Sequence, residues 1–168
     1  SFYKNCSEER TQFLARARES AELTLPYLIP PEGHNASTTF PTPFQGMGAR
    51  GVNNLASKLL LALLPPNSPF FRLTIDDFDL AELAGDESQR GAVEEGFSRI
   101  ERSAMGEIES SAYRVPVFEA LKHLIVTGNC LLYLPEKGGM RVFHLDRYVC
   151  KRDPMGNLLY LITKETLD

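Results

Sequence analysis

Gly46-Met-Gly-Ala-Arg-Gly-Val-Asn-Asn-Leu-Ala-Ser-Lys-Leu-Leu-Leu-Ala-Leu-Leu-Pro-Pro66 is the stretch from which the rest of the chain is read. Gly46, Gly48 and Gly51 loosen its start, and the Pro65-Pro66 pair stops it. Between them Val52, Leu55, Leu59 and Leu63 recur three and four residues apart, which is the helical period and predicts a helix over 51–64. Arg50, Asn53, Asn54 and Lys58 recur on one side of it, a polar strip suited to a subunit contact or a buried hydrogen-bond network. The strip ends early, because Leu60, Leu61 and Leu64 make the last two turns apolar nearly all round. A helix with that profile is expected to be buried at one end, in a large core or against another chain. It is too short to cross a bilayer, and Lys58 interrupts it.

Upstream, Phe13, Ala17, Ala21 and Leu25 stand four apart, joined by Leu14, and predict one helix over 7–25. Ser7 would cap it, with Glu8 and Glu9 in the first turn where the helix dipole favours acids. After Pro26, five further breakers up to Pro43 (Pro30, Pro31, Gly33, Pro41 and Pro43) forbid a regular element. Tyr27, Leu28, Ile29, Phe40 and Phe44 give that stretch an apolar side, which is expected to lie against something, the next copy of the chain included.

Downstream, Phe71, Leu73 and Ile75 alternate with Arg72 and Thr74 and predict a half-buried strand over 70–75. Asp76, Asp77 and Asp79 then open a short helix over 77–84, broken at Gly85-Asp86. The longest helix is expected over 88–113, on the stripe Val93, Phe97, Ile100, Ala104, Ile108 and Ala112, with Glu95 four before Arg99 as a favourable pair. Pro116 suits the first turn of a further helix with Phe118, Leu121, Leu124 and Ile125 inside and Gly128 at its end. The period then changes. Strands are predicted over 130–134, 140–145, 147–152 and 158–163, linked by turns at 136–139 and 153–157. The fold class is therefore α+β, with residues 1–128 mainly helical and 129–168 an antiparallel β-meander.

Composition excludes several classes. The chain has 168 residues, 43% hydrophobic and 24% charged, which is globular rather than disordered. A net charge of −4 argues against tight, sequence-independent nucleic-acid binding, which needs clustered Lys and Arg. The one basic grouping, Arg141, Arg147, Lys151 and Arg152 on the meander, reads first as a solvated face or subunit contact and second as a weak approach to DNA. Cys6, Cys130 and Cys150 are odd in number and widely spaced, so no disulfide framework is expected and a reducing compartment is favoured. No signal peptide, membrane span or lipidation motif is visible.

No catalytic constellation assembles. Asp76, Asp77 and Asp79 lack the glycine-turned loop of a calcium site and read as capping acids. His34, His123 and His144 with Cys130 and Cys150 lack the short ligand pairs that mark zinc. His123 is expected to sit near a helix C-terminus as a favourable cation, and His144 in a strand. The glycines at 46, 48 and 51 match neither the dinucleotide fingerprint nor the P-loop. Catalytic, cofactor and metal residues are thus all expected to be none.

Three blocks carry a family resemblance. They are Gly48 to Pro65 in the opening stretch; Ser111-Ala-Tyr-Arg-Val-Pro-Val-Phe-Glu-Ala-Leu-Lys-His-Leu-Ile-Val-Thr-Gly-Asn-Cys-Leu-Leu-Tyr-Leu-Pro135; and Asn35-Ala-Ser-Thr38 with Thr42-Pro-Phe-Gln45. In their order along the chain and at their spacing they resemble the head-to-tail connector, or portal, proteins of short-tailed bacteriophages, over nearly the whole chain. The departures are conservative apolar swaps. The resemblance implies a non-enzymatic subunit of a dodecameric ring at one capsid vertex of the virion, assembled in the host cytoplasm. It implies as partners the terminase, a tail adaptor, the major capsid protein, scaffolding and internal core proteins, and double-stranded DNA passing through the channel. This segment would be the N-terminal part of the wing, with stem and clip following Asp168; the absence of an initiating Met and the polar end point the same way. Two other readings stay open from the residues: a monomeric adaptor or scaffold, and a metal-dependent hydrolase using Asp76, Asp77 and Asp79.

Overall fold

The computed structural model describes residues 2–31, 33–35, 37–66, 68–75 and 87–165. Its elements are α1 (Phe2–Glu8), α2 (Thr11–Glu22), α3 (Met47–Leu63), α4 (Glu87–Ser110), α5 (Arg114–Thr127), and strands β1 (Leu131–Tyr133), β2 (Arg141–Phe143), β3 (Tyr148–Arg152) and β4 (Leu158–Thr163). This is an α+β fold, divided into two compact units: residues 1–59 with 115–168, and residues 60–114.

The first unit has two small cores. In one, Leu14 and Ala17 of α2 meet Ile29, Phe143, Leu145 and Tyr148, with Leu131 against them. In the other, Leu25 and Leu28 meet Val52 of α3, with Ala49, Ile125 and Val126 packed on them. The irregular segment after Pro26 thus buries Leu28 and Ile29 in its own unit, while Phe44 stands fully exposed. Arg and Gly make the junctions. The predicted single helix over 7–25 breaks at Glu9-Arg10, so Ser7 lies inside α1 and caps nothing. The physical reason is distant in sequence: the Arg10 guanidinium donates to the carbonyl oxygens of Leu145 and Asp146, the latter at 3.4 Å. Phe13, expected inside, is exposed beneath the Arg16 guanidinium, whose carbon lies 5.0 Å from the ring centroid. Helix α3 starts at Met47, before the expected residue 51. A Cβ on Gly48 would stand 2.6 Å from the Leu23 carbonyl oxygen, so glycine permits the end of α2 to approach α3.

The expected meander is two separate antiparallel ladders. β1 pairs with β2, Leu131 opposite Phe143, and β3 pairs with β4, Tyr148 opposite Thr163, with an irregularity at Lys151/Arg152. A 3-10 turn, Leu145–Arg147, separates β2 from β3. His144 begins that turn rather than lying in a strand. Helix α5 ends at Gly128, whose positive φ of 77° and N–H to the Leu124 carbonyl (2.9 Å) form the expected left-handed stop.

In the second unit α4 ends where Ala112 takes φ of 52°, so Ala112 leaves the predicted stripe. The Glu95–Arg99 pair forms at 2.7 Å. Arg114 donates to the carbonyl oxygens of Leu64 and Pro65 and pairs with Glu109 at 2.6 Å, satisfying carbonyls left free past the end of α3. That pairing holds the Glu109 carboxyl below its usual range. The predicted strand over 70–75 is not formed. Among the described residues no strand pairs with it, and the Leu73 N–H donates instead to the Glu101 carboxylate at 2.6 Å. The short helix predicted over 77–84, with Asp76, Asp77 and Asp79, lies outside the described residues.

Candidate functional site

The polar strip of α3 lines a shallow groove of about 490 Å³ in the first unit. Arg50, Asn54 and Lys58 stand at successive fours and so share one line along the helix. Gln45 joins them at one end, and Met47 and Leu55 add an apolar floor that is itself exposed. Asn53 does not line the groove; it lies on the adjoining line, where its carbonyl accepts the Ser57 hydroxyl at 2.8 Å. Among the described residues neither Arg50 nor Lys58 has an ion-pair partner. Two cations, an amide and an apolar floor can receive a partner surface that offers acids beside apolar side chains. Among the described residues no Ser, Cys, His, Asp or Glu lines the groove beside them.

The second set of sequence candidates does not act as one patch. Arg141 on β2 pairs with Glu165 at 2.6 Å and lies over the Phe143 ring at 5.2 Å. Arg152 donates to the Gly156 carbonyl at 2.8 Å and helps close the 153–157 turn. Arg147 belongs to the turn before β3 and lends its charge to Asp146. Lys151 is exposed on β3. Three of the four are thus occupied locally, Arg141 and Arg152 on different ladders and Arg147 in the turn between them. A second, polar concavity of about 400 Å³ gathers Tyr3, Arg18, His34, Asp146, Arg147 and Lys164, where Arg18 and Arg147 are already engaged by neighbours.

No spacing in the sequence signals what the structure does with the histidines. His123 and His144, 21 residues apart, stack with ring centroids 5.9 Å apart and planes 15° apart. His144 Nδ1 makes a hydrogen bond with the Asp146 carboxylate. Burial pushes the Asp146 carboxyl up, but that bond, the His144 charge and Arg147 outweigh it and hold the group below its usual range. His123 is 5% exposed within α5, not at a solvated helix end. Burial drives its pKa below the ordinary 6.5, which overturns its expected role as a C-terminal cation. Beside it the Lys122 ammonium pairs with Glu119 at 2.5 Å and reaches the Tyr27 hydroxyl at 3.3 Å. Burial alone would lower the Lys122 pKa; these partners raise it instead.

Among the described residues no cluster of three or more His, Cys, Asp or Glu could hold a metal ion, and the three cysteines are free thiols. No helix among them is long and apolar enough to cross a membrane.

A family model described as bacteriophage head to tail connecting protein matches residues 1–167. The chain belongs to that family. It is 45% identical over 172 residues to the portal protein of Escherichia phage T7, covering 99% of this chain and 32% of the relative. It is 46% identical over 169 residues to the portal protein of Enterobacteria phage T3, covering 98% and 31%. It is 38% identical over 160 residues to the portal protein of Enterobacteria phage SP6. The chain therefore spans about a third of the length of these curated relatives, and corresponds to their N-terminal part.

Proposed function

We propose that this chain is the N-terminal, wing part of a phage portal subunit, which assembles as a dodecameric ring at the head–tail vertex of the virion. The ring gives double-stranded DNA its channel for packaging and ejection, and it attaches terminase on one occasion and the tail adaptor on another. The major capsid protein, scaffolding and internal core proteins surround it. Stem and clip follow in the longer protein. The role is structural, with no catalytic residue, cofactor or metal.

The observation that carries this reading is the match to head-to-tail connecting proteins along residues 1–167. The α3 groove supports it. A closed ring needs two different surfaces that complement each other, and Arg50, Asn54 and Lys58 offer unpaired polar groups beside exposed Met47 and Leu55. Asn53 extends the same surface. The basic residues of the ladders are a weaker candidate contact with a neighbour or with DNA, carried chiefly by Lys151, since Arg141, Arg147 and Arg152 already have local roles.

The test is charge removal in the full-length protein. Arg50→Gln with Lys58→Gln should lower the yield of closed rings while leaving the circular dichroism of the chain unchanged. An unchanged ring yield would remove the groove from the interface.

A further inference from the structure

We propose that the stacked His123–His144 pair, with Asp146, is a proton-sensitive joint that holds α5 on the β2–β3 connection at neutral pH and loosens it on acidification. The joint lies between the two cores of the first unit. Ile125 and Val126 of α5 pack on the core of Leu25, Leu28 and Val52, whereas Leu145 and Tyr148 of the connection belong to the core of Leu14, Ala17 and Ile29. The imidazole stack, 5.9 Å between centroids, joins an element of one core to an element of the other.

The geometry accepts one neutral imidazole at position 123 and resists a charged one. His123 Nδ1 is buried, with no hydrogen-bond partner among the described residues. A neutral ring can leave that nitrogen bare as an acceptor, but protonation turns it into an N–H donor with nowhere to donate. Among the described residues no acceptor is placed on Nδ1. On α5, Glu119 gives one oxygen to Lys122 at 2.5 Å, while its other oxygen is 3.7 Å from His123 Nε2. On the connection, Asp146 is taken by His144. The charges acting on His123 are therefore Glu119 and Asp146, which favour its protonation, and Lys122 and His144, which oppose it; burial decides the balance against the cation. A cation at His123 would lie face to face with the His144 ring, which holds the Asp146 carboxylate on its own Nδ1. Arg10 holds the carbonyls of Leu145 and Asp146, so the connection stays fixed and α5 is the element that yields.

Hydrogen exchange of the full-length protein tests this, with rates corrected for the intrinsic effect of pH. Between pH 7.5 and 5.5 the segment 119–127 should open up to about tenfold more, since one pH unit below an ordinary histidine pKa gives at most that factor. Residues 14–22 of α2 should not respond. His123→Phe, which keeps a flat ring without a titrating nitrogen, should abolish the response; His123→Gln serves if the ring variant does not fold. Equal corrected exchange at both pH values in the wild type would overturn the joint. So would a uniform response throughout the unit, or a response that survives either substitution.

Discussion

Helices α5 and α4 have similar apolar stripes in the sequence and opposite fates in the structure. In α5 four consecutive residues, Ala120, Leu121, Lys122 and His123, are buried, so the helix is enclosed on more than one side. In α4 no residue from Gly91 onward is buried, and Ile100, in the middle of its stripe, is 55% exposed. A stripe records what a helix is built to meet, not whether its own unit supplies the partner. For α5 the partner is the core of its own chain. For α4, and for the exposed Leu61 and Leu63 of α3, the unit supplies too little, which is the condition expected of a protein that completes itself by assembly.

Core truncation should separate the two helices most sharply. Leu121→Ala, at a site 6% exposed, should destabilise the unassembled chain by about 2–5 kcal/mol in denaturant unfolding. Ile100→Ala should stay within about 0.5 kcal/mol. Equal costs would break the comparison. Glycine replacements should then differ in sign. Gly48→Ala drives a methyl toward the Leu23 carbonyl and should cost about 1–3 kcal/mol. Gly106→Ala in α4 meets open space and should stabilise by about 0.5–1 kcal/mol.

Acid should act on the first unit in a histidine window that the second unit lacks, while both units carry depressed carboxyls. His123 has a folded pKa below the ordinary 6.5, so its unfolded form takes a proton first, and the α5 part of the first unit should lose stability as pH falls below 6.5. Glu109 is also depressed, but from 4.5; its stabilisation is present above that value and is lost only as pH falls through the carboxylate range. A pH titration of thermal stability, with and without His123→Phe, should remove the first step and leave the second. The smallest effect belongs to Glu95–Arg99, an exposed i,i+4 pair, where Arg99→Ala should cost about 0.3–0.5 kcal/mol and less in salt.

Much of the fold could be read from residues alone, and what could not has a common cause. The helical periods located α3, α4 and α5, and the turn chemistry located all four strands to within a residue or two. Gly128 was legible as a helix stop because a left-handed residue is a local requirement. The break before α2 was not, since Ser7, Glu8 and Glu9 give a sound local capping signal and Arg10 answers to carbonyls 135 and 136 residues away. The alternation at 70–75 was equally sound, but a strand needs a partner edge, and Glu101 took the Leu73 N–H instead. At the candidate site, Arg50, Asn54 and Lys58 were legible because helical spacing places them on one line. The His123–His144–Asp146 cluster was not, because it exists only once α5 meets the connection between the ladders.

The most direct test of the central claim is native mass spectrometry of the full-length protein, with electron microscopy of the same sample. Closed rings of a dozen subunits around an open channel are the predicted result. A protein that remains monomeric at micromolar concentration, with no rings under assembly conditions, would contradict it.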